Sequence, residues 1–168
     1  MLQKNNRRKF RAFTIMDLLL GVVILALAVI VAINAYTMIS QLWRENLVMN
    51  ELSISANVAI EKMIHGNSGN TGLLAAKHIL APLLGFSANS VDYTDAFDLQ
   101  RRFYYSEGKI YAEDGKLIIS NIDGDAVAIS NIFLNIDDRV VQIALALKKT
   151  VGKKEVKLRV ETRVRLRN

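Results

Sequence analysis

An uninterrupted apolar segment near the N-terminus limits the possible folds of this chain more than any other feature. Leu18 to Ile33 comprises sixteen consecutive residues without a polar side chain, and no charged residue lies between Asp17 and Arg44. As a helix, Leu18 to Ile39 would be about 33 Å long, which matches a bilayer hydrocarbon core of about 30 Å. Because no later segment is apolar enough to cross again, the sequence predicts a single-pass membrane protein.

The charges around this segment predict its orientation. Five basic residues and no acidic residue lie in residues 1–12, namely Lys4, Arg7, Arg8, Lys9 and Arg11. The positive-inside tendency therefore keeps the N-terminus cytoplasmic, and the C-terminal domain is expected to be periplasmic or extracellular. Beyond residue 12, the remaining 17 basic and 16 acidic residues almost balance, so the overall basic charge is weak support for nucleic-acid binding. The absence of cysteine excludes disulfides and thiolate metal sites.

The charged and apolar segments meet at Arg11-Ala12-Phe13-Thr14-Ile15-Met16-Asp17-Leu18-Leu19. This junction resembles that of type IV pilins and type II secretion pseudopilins. In those proteins a basic leader ends in a small residue, and an aromatic residue, a threonine, two apolar residues, a carboxylate and a leucine pair follow. Ala12 replaces the usual glycine, Asp17 the usual glutamate, and Asn34 a helix-bending proline. These departures indicate a minor subunit.

The resemblance implies several roles for the junction. Residues 1–12 would be a leader that a prepilin peptidase removes between Ala12 and Phe13, and Phe13 would be N-methylated. Asp17 would meet the α-amine of a neighbouring subunit during assembly. The implied partners are other pilins or pseudopilins and an inner-membrane assembly platform with its ATPase. Two alternatives are an uncut signal anchor and a signal peptide cut after Ala35, although signal peptides have apolar cores of only about 7–15 residues. Asp17 could also simply be a solvated helix end.

The sequence predicts one long helix, since no proline or glycine interrupts Val22 to His65. It would run from Phe13 to near Gly66, with a transmembrane part at 13–39 and an extension at 40–65. One apolar stripe is expected to dock on the protein's own sheet, and it contains Leu42, Met49, Leu52, Ala56, Ala59, Ile60 and Met63. A second, narrower stripe is expected to pack against neighbouring helices in a filament or, alternatively, to be covered by a loop. It contains Trp43, Leu47, Ile54 and Val58.

Residues 66–168 are predicted to form a soluble domain built on an antiparallel sheet. A loop at His65 to Gly72, a short helix at Leu73 to Leu84 and an irregular segment at Ser87 to Asp98 come first. Strands are predicted at Arg102 to Ser106, Lys109 to Ala112, Lys116 to Ile122 and Val127 to Asn135, followed by a hairpin that turns at Gly152-Lys153. The predicted fold class is therefore α+β, with a long N-terminal transmembrane helix packed on a C-terminal sheet, as in pilins.

The last strand supplies an alternative function. Its predicted solvent face carries Lys157, Arg159, Arg163, Arg165 and Arg167, opposed only by Glu161. A DNA-capturing minor pilin could use Arg159, Arg163, Arg165 and Arg167, with strongly salt-dependent binding. The favoured hypothesis is a structural subunit of a type IV pilus, competence or type II secretion filament, held in the cytoplasmic membrane before assembly.

Patterns typical of enzymes and metal sites are absent from the sequence. It contains no Ser/His/Asp spacing, phosphate-binding glycine loop or dinucleotide fingerprint, so a non-enzymatic protein without a cofactor is predicted. The two histidines, His65 and His78, do not have zinc-site spacing. Asp123-Gly124-Asp125 and the series Asp92, Asp95, Asp98 provide oxygen ligands, but they lack an EF-hand loop and are interpreted as turn residues.

Overall fold

The chain is α+β, with a long helix followed by antiparallel strands, as predicted. The computed structural model describes residues 15–66, 71–126, 131–137 and 139–167. It divides the chain into two compact units, residues 1–43 and residues 44–168. The helix α1 extends over Ile15–His65, which confirms the predicted continuous helix of about 50 residues. The leader and the first two residues of the predicted helix lie outside the described residues.

The composition of α1 explains where it continues and where it ends. Its N-terminal part is long and apolar enough to cross a membrane. Asn34 does not interrupt the helix, and Thr37 Oγ1 donates a hydrogen bond to the Asn34 carbonyl at 2.8 Å. After His65, Gly66 adopts a φ of 69°, and its N–H donates to the Lys62 carbonyl at 2.9 Å. A Cβ at Gly66 would collide with Thr71, so glycine is needed at this C-terminal cap.

Nine strands follow α1 in the described part of the chain and form two antiparallel sheets, whereas one sheet was predicted. The strands are β1 (His78–Ala81), β2 (Ser87–Ala88), β3 (Ser90–Thr94), β4 (Gln100–Ser106), β5 (Lys109–Ala112), β6 (Leu117–Ile119), β7 (Phe133–Asp137), β8 (Val140–Val151) and β9 (Lys154–Arg165). The first sheet has the order β1-β3-β4-β5-β6, and the second has the order β2-β7-β8-β9. An isolated bridge pairs Ile122, which follows β6, with Leu147 of β8 in the second sheet.

The predicted hairpins of the soluble domain are confirmed. β4 and β5 flank Glu107 and Gly108, which both have positive φ, as a two-residue hairpin turn requires. β8 and β9 pair along their full length, from Val140 opposite Arg165 to Val151 opposite Lys154. Their buried residues alternate as expected. The strand predicted at Lys116 to Ile122 is shorter and covers only Leu117–Ile119. The strand predicted at Val127 to Asn135 is β7, shifted to Phe133–Asp137, and residues 127–130 lie outside the described part.

Two predictions for the middle of the chain are wrong. The helix predicted at Leu73 to Leu84 is instead a 3₁₀ turn at Leu73–Ala75 followed by β1. The segment predicted to be irregular, Ser87 to Asp98, contains β2 and β3. β3 is an interior strand paired with both β1 and β4, and its alternate residues Val91 and Tyr93 are buried. Long-range pairing therefore outweighs the polar composition of this segment.

The C-terminal part of α1 packs against both sheets. Leu52, Ala56, Ala59, Ile60 and Met63 are buried, which confirms most of the predicted wider stripe. They share one core with residues of both sheets, including Val91, Tyr93, Ile143 and Leu145. The prediction is wrong for Leu42 and Met49, which are 48% and 38% exposed.

Two ion pairs join the β8–β9 hairpin to α1. Lys149 Nζ lies 2.5 Å from Glu51 Oε1, and Lys154 Nζ lies 2.6 Å from Glu45 Oε2. Glu45 interrupts the wider apolar stripe in the sequence, and this pairing accounts for its presence there. Both pairs are at least partly exposed, so each is expected to contribute only about 0–1 kcal/mol to stability.

Candidate functional site

Of the predicted N-terminal site residues, the structure describes Asp17. Ala12 and Phe13, the predicted cleavage and methylation positions, lie outside the described residues. Asp17 is exposed in the first turn of α1, where the positive end of the helix dipole favours an acidic side chain. Its role opposite a neighbouring subunit's α-amine remains a prediction.

The narrow stripe is solvent-exposed. Trp43, Leu47, Ile54 and Val58 are 66%, 60%, 65% and 43% exposed, respectively. At about 100° per residue, the last three lie on the side of the helix opposite the buried residues. The alternative that a loop of the same chain covers them is therefore wrong for the part of the chain that the structure describes. Their contact with neighbouring helices remains a prediction.

A groove continues the narrow stripe onto the first sheet. Ile54, Ser55 and Val58 of α1 form one side, residues 117–121 form the other, and the cavity volume is about 310 Å³. Leu117, at the start of the edge strand β6, is 47% exposed. Sequence reasoning missed this contribution because only the fold brings β6 beside the helix.

The predicted basic face of β9 is exposed, but acidic groups partly neutralise it. Arg159 Nη2 lies 2.7 Å from Glu161 Oε1, and Lys157 Nζ lies 3.4 Å from Asp123 Oδ2. Arg163 Nε donates to Gln142 Oε1 at 3.3 Å. Arg165 and Arg167 are exposed near the end of the chain. The structure thus places the four candidate DNA-binding arginines along one strand and its end, with an acidic residue beside one of them.

Asp95 lies at the β3–β4 turn, as its interpretation as a turn residue predicts, but its burial was not predicted. It is 0% exposed, and its Oδ1 accepts hydrogen bonds from the amides of Phe97 and Leu99 at 2.8 and 3.0 Å. Its Oδ2 accepts a bond from Arg101 Nε at 3.0 Å. Burial alone would raise the pKa of Asp95, but the bonds from Leu99, Arg101 and Phe97 together hold that pKa below its usual range.

Asp123 is a second buried carboxylate, and it lies between two lysines. It is 4% exposed, with Lys148 Nζ 3.0 Å from Oδ1 and Lys157 Nζ 3.4 Å from Oδ2. Lys148 is the largest cause of its lowered pKa. Three other candidate calcium ligands, Asp92, Asp95 and Asp98, likewise pair with basic side chains, namely Arg102, Arg101 and Lys77. In the described ranges, no group of three or more His, Cys, Asp or Glu side chains is arranged to hold a metal ion.

These two carboxylates predict that acid destabilises the domain. A carboxyl group whose pKa is lower in the folded protein stabilises the fold fully above its unfolded pKa of about 3.9. That stabilisation is lost as pH falls below about 4 through the folded values. Thermal unfolding should therefore show a Tm several degrees lower at pH 3 than at pH 6, since about 1 kcal/mol corresponds to about 4–8 °C in small domains. An unchanged Tm would contradict the prediction, and D95N and D123N should each reduce the pH dependence.

The exposed narrow stripe and its groove form the main candidate interaction surface of the domain. Comparisons of the chain with protein-family models, with curated proteins and with solved structures found no match. A proposal for function therefore rests on this chain's own junction, helix and surface.

Proposed function

We propose that this protein is a minor pilin or pseudopilin, a structural subunit of a type IV pilus, competence or type II secretion filament. The observation that carries this proposal is the composition of α1. One helix combines a segment apolar enough to span a membrane with a C-terminal part that has two apolar faces. The domain buries one face, while the other remains exposed. A helix packed on a single domain needs only one apolar face, so the second suits a neighbouring subunit.

The junction supplies independent support for a processed membrane subunit. Residues 1–12 have leader-like charge, and Ala12 is small enough to precede a cleavage site. Cleavage would expose an α-amine at Phe13, and Asp17 lies four residues further along. Because an acidic side chain is costly within a membrane, pairing between Asp17 and the amine of another subunit would favour assembly. The proposed location is the cytoplasmic membrane with the N-terminus inside, followed by incorporation into the filament.

Mass spectrometry of the mature N-terminus tests this proposal. In cells that contain a prepilin peptidase, the protein should begin at N-methylated Phe13. Ala12→Gly should preserve cleavage because glycine is also small, whereas Ala12→Leu should leave most of the chain uncut. A start at Tyr36 would indicate an ordinary signal peptide. An intact leader in the unaltered chain would indicate a signal anchor, and either result would overturn the proposal.

DNA capture is a second candidate because Arg159, Arg163, Arg165 and Arg167 share an exposed strand face and its end. Glu161 beside Arg159 weakens this candidate, and charged side chains also protect a sheet edge from pairing with other strands. The DNA function requires retention of DNA at low salt that disappears at high salt and in an R165E/R167E variant.

A further inference from the structure

The first sheet has a cavity on the face that points away from the protein core. Its volume is about 340 Å³, and residues of β1, β3 and β4 line it together with Glu113, which follows β5. This volume lies at the small end of the range of about 300–1,000 Å³ for ligand sites. β3 and β4 are interior strands, so their main-chain groups are used in pairing. A ligand on this face would therefore contact side chains rather than the main chain of a free strand edge.

A pair of stacked tyrosines forms one row of this face. Tyr104 of β4 lies directly opposite Tyr111 of β5, and their rings stack with centroids 5.5 Å apart and an interplanar angle of 23°. Tyr104 also lines the cavity, and both side chains are partly exposed. Stacking on Tyr111 fixes the orientation of the Tyr104 ring, which provides a preformed aromatic wall.

The neighbouring row alternates acidic and basic side chains. Arg102 donates to Asp92 through Nε and Nη2, at 2.5 and 2.7 Å. On the β5 side of Arg102, the antiparallel ladder pairs Phe103 with Ala112. The preceding residue of β4, Arg102, therefore lies level with the residue after Ala112, which is Glu113. Asp92, with a smaller contribution from Glu113, raises the pKa of Arg102. Hydrogen-bond donors and acceptors thus alternate beside the aromatic wall, and Gln100 adds an amide that is both.

This lining discriminates among classes of ligand. Asp92 and Glu113 would repel an anion, and Arg101 and Arg102 would repel a cation. A fully apolar ligand would displace water from these charged side chains without replacing the lost hydrogen bonds. A sugar can interact with both the tyrosine row and the charged row. Each hydroxyl group donates and accepts hydrogen bonds, and the weakly positive C–H groups of the ring pack on the negative face of an aromatic side chain.

We propose that this cavity binds a neutral carbohydrate. The ring of Tyr104 contacts one face of a sugar unit, and Asp92, Gln100, Arg102 and Glu113 bind its hydroxyl groups. Leu80, which is 44% exposed, closes the side of the cavity formed by β1. The site lies on the first sheet's outer face, so its sugar binding can be measured whether or not α1 enters a filament.

A glycan array tests the proposal with the full chain in lipid nanodiscs, because detergents with sugar headgroups would compete. The array carries neutral oligosaccharides of glucose, galactose and N-acetylglucosamine, their sialylated and sulfated counterparts, and single-stranded DNA. We expect retention of neutral glycans, followed by a measurable Kd for the best of them in solution. Y104A should weaken that Kd at least tenfold, whereas Y104F keeps the ring and should bind within about twofold of the unaltered protein.

Two further variants separate binding from folding. E113A alters an exposed residue beyond the end of β5, so the fold should persist while the glycan Kd rises several-fold. E107Q, in the β4–β5 turn outside the cavity, is the matched control and should bind normally. The proposal is overturned if no neutral glycan is retained, if only acidic glycans or DNA are retained, or if Y104A and E113A both bind like the unaltered protein.

Discussion

Replacing both Leu47 and Ile54 with lysine is expected to reduce incorporation into filaments at least tenfold while the domain remains folded. Both side chains are more than half exposed in the single chain. If Leu47 and Ile54 pack against neighbouring helices, replacing either one removes about 1.5–3 kcal/mol of stabilisation from buried apolar surface. Each lysine also adds the cost of removing its charge from water. A loss of about 1.4 kcal/mol already corresponds to a tenfold change in an equilibrium constant. Immunoblotting of sheared filaments against total membrane protein measures the incorporated fraction.

A charge-matched variant controls for this experiment. Asn46→Lys combined with Asn57→Lys places two lysines on exposed positions of α1 outside the narrow stripe and its groove, and its incorporation should stay much closer to normal. Exposed substitutions of this kind usually change stability by no more than about 0.5 kcal/mol each, so both double variants should unfold near the normal temperature. Normal filament incorporation of L47K/I54K would refute the role of the stripe. Unfolding of its domain would instead show that these residues support the fold.

The features predicted well from the sequence depend on local patterns. The continuous helix follows from a long segment without proline or glycine, and the β4–β5 and β8–β9 hairpins follow from glycine-containing turns between alternating strands. The division of α1 into a buried and an exposed face was also predictable, since helical periodicity separates Ala59 and Met63 from Leu47 and Ile54. The pattern could not indicate where along the helix burial begins, and Leu42 and Met49 were assigned to the buried face incorrectly.

The features missed depend on contacts between distant segments. β3 has few apolar residues, but Val91 and Tyr93 alternate toward the core, and this weak signal acquires its meaning only through pairing with β1 and β4. In the second sheet, the short edge strand β2 likewise depends on its pairing with the distant strand β7. Tyr104 and Tyr111 are seven residues apart, and only the β4–β5 register stacks them. The sequence predicts Asp95 as a turn residue, but its burial and its bond to Arg101 depend on the folded sheet.

Asp95→Ala is expected to cost about 3–5 kcal/mol of the free energy of unfolding. The substitution removes the acceptor of three hydrogen bonds and leaves the amides of Phe97 and Leu99 without their carboxylate partner. These two amide bonds are part-buried, and hydrogen bonds to a charged group contribute about 1.5–3 kcal/mol each, so the two bonds account for the expected loss. Arg101 retains 37% side-chain exposure, so water will partly compensate for its lost partner. Urea unfolding monitored by circular dichroism measures the change.

Two substitutions in the same turn separate the sources of this loss. Asp95→Asn can keep Oδ1 as the acceptor of both amides but places an N–H group against Arg101, so a smaller loss than for D95A is expected. Asp98→Asn removes an exposed ion pair with Lys77, whose atoms lie 2.6 Å apart, but keeps a side chain that tolerates the positive φ of 64° at this position, so it should cost less than about 1 kcal/mol. If D95A were no more destabilising than D98N, the β3–β4 turn would not depend on its buried carboxylate. If instead D95N matched D95A, the bond to Arg101 would account for most of the stabilisation, and the two amide bonds would contribute little.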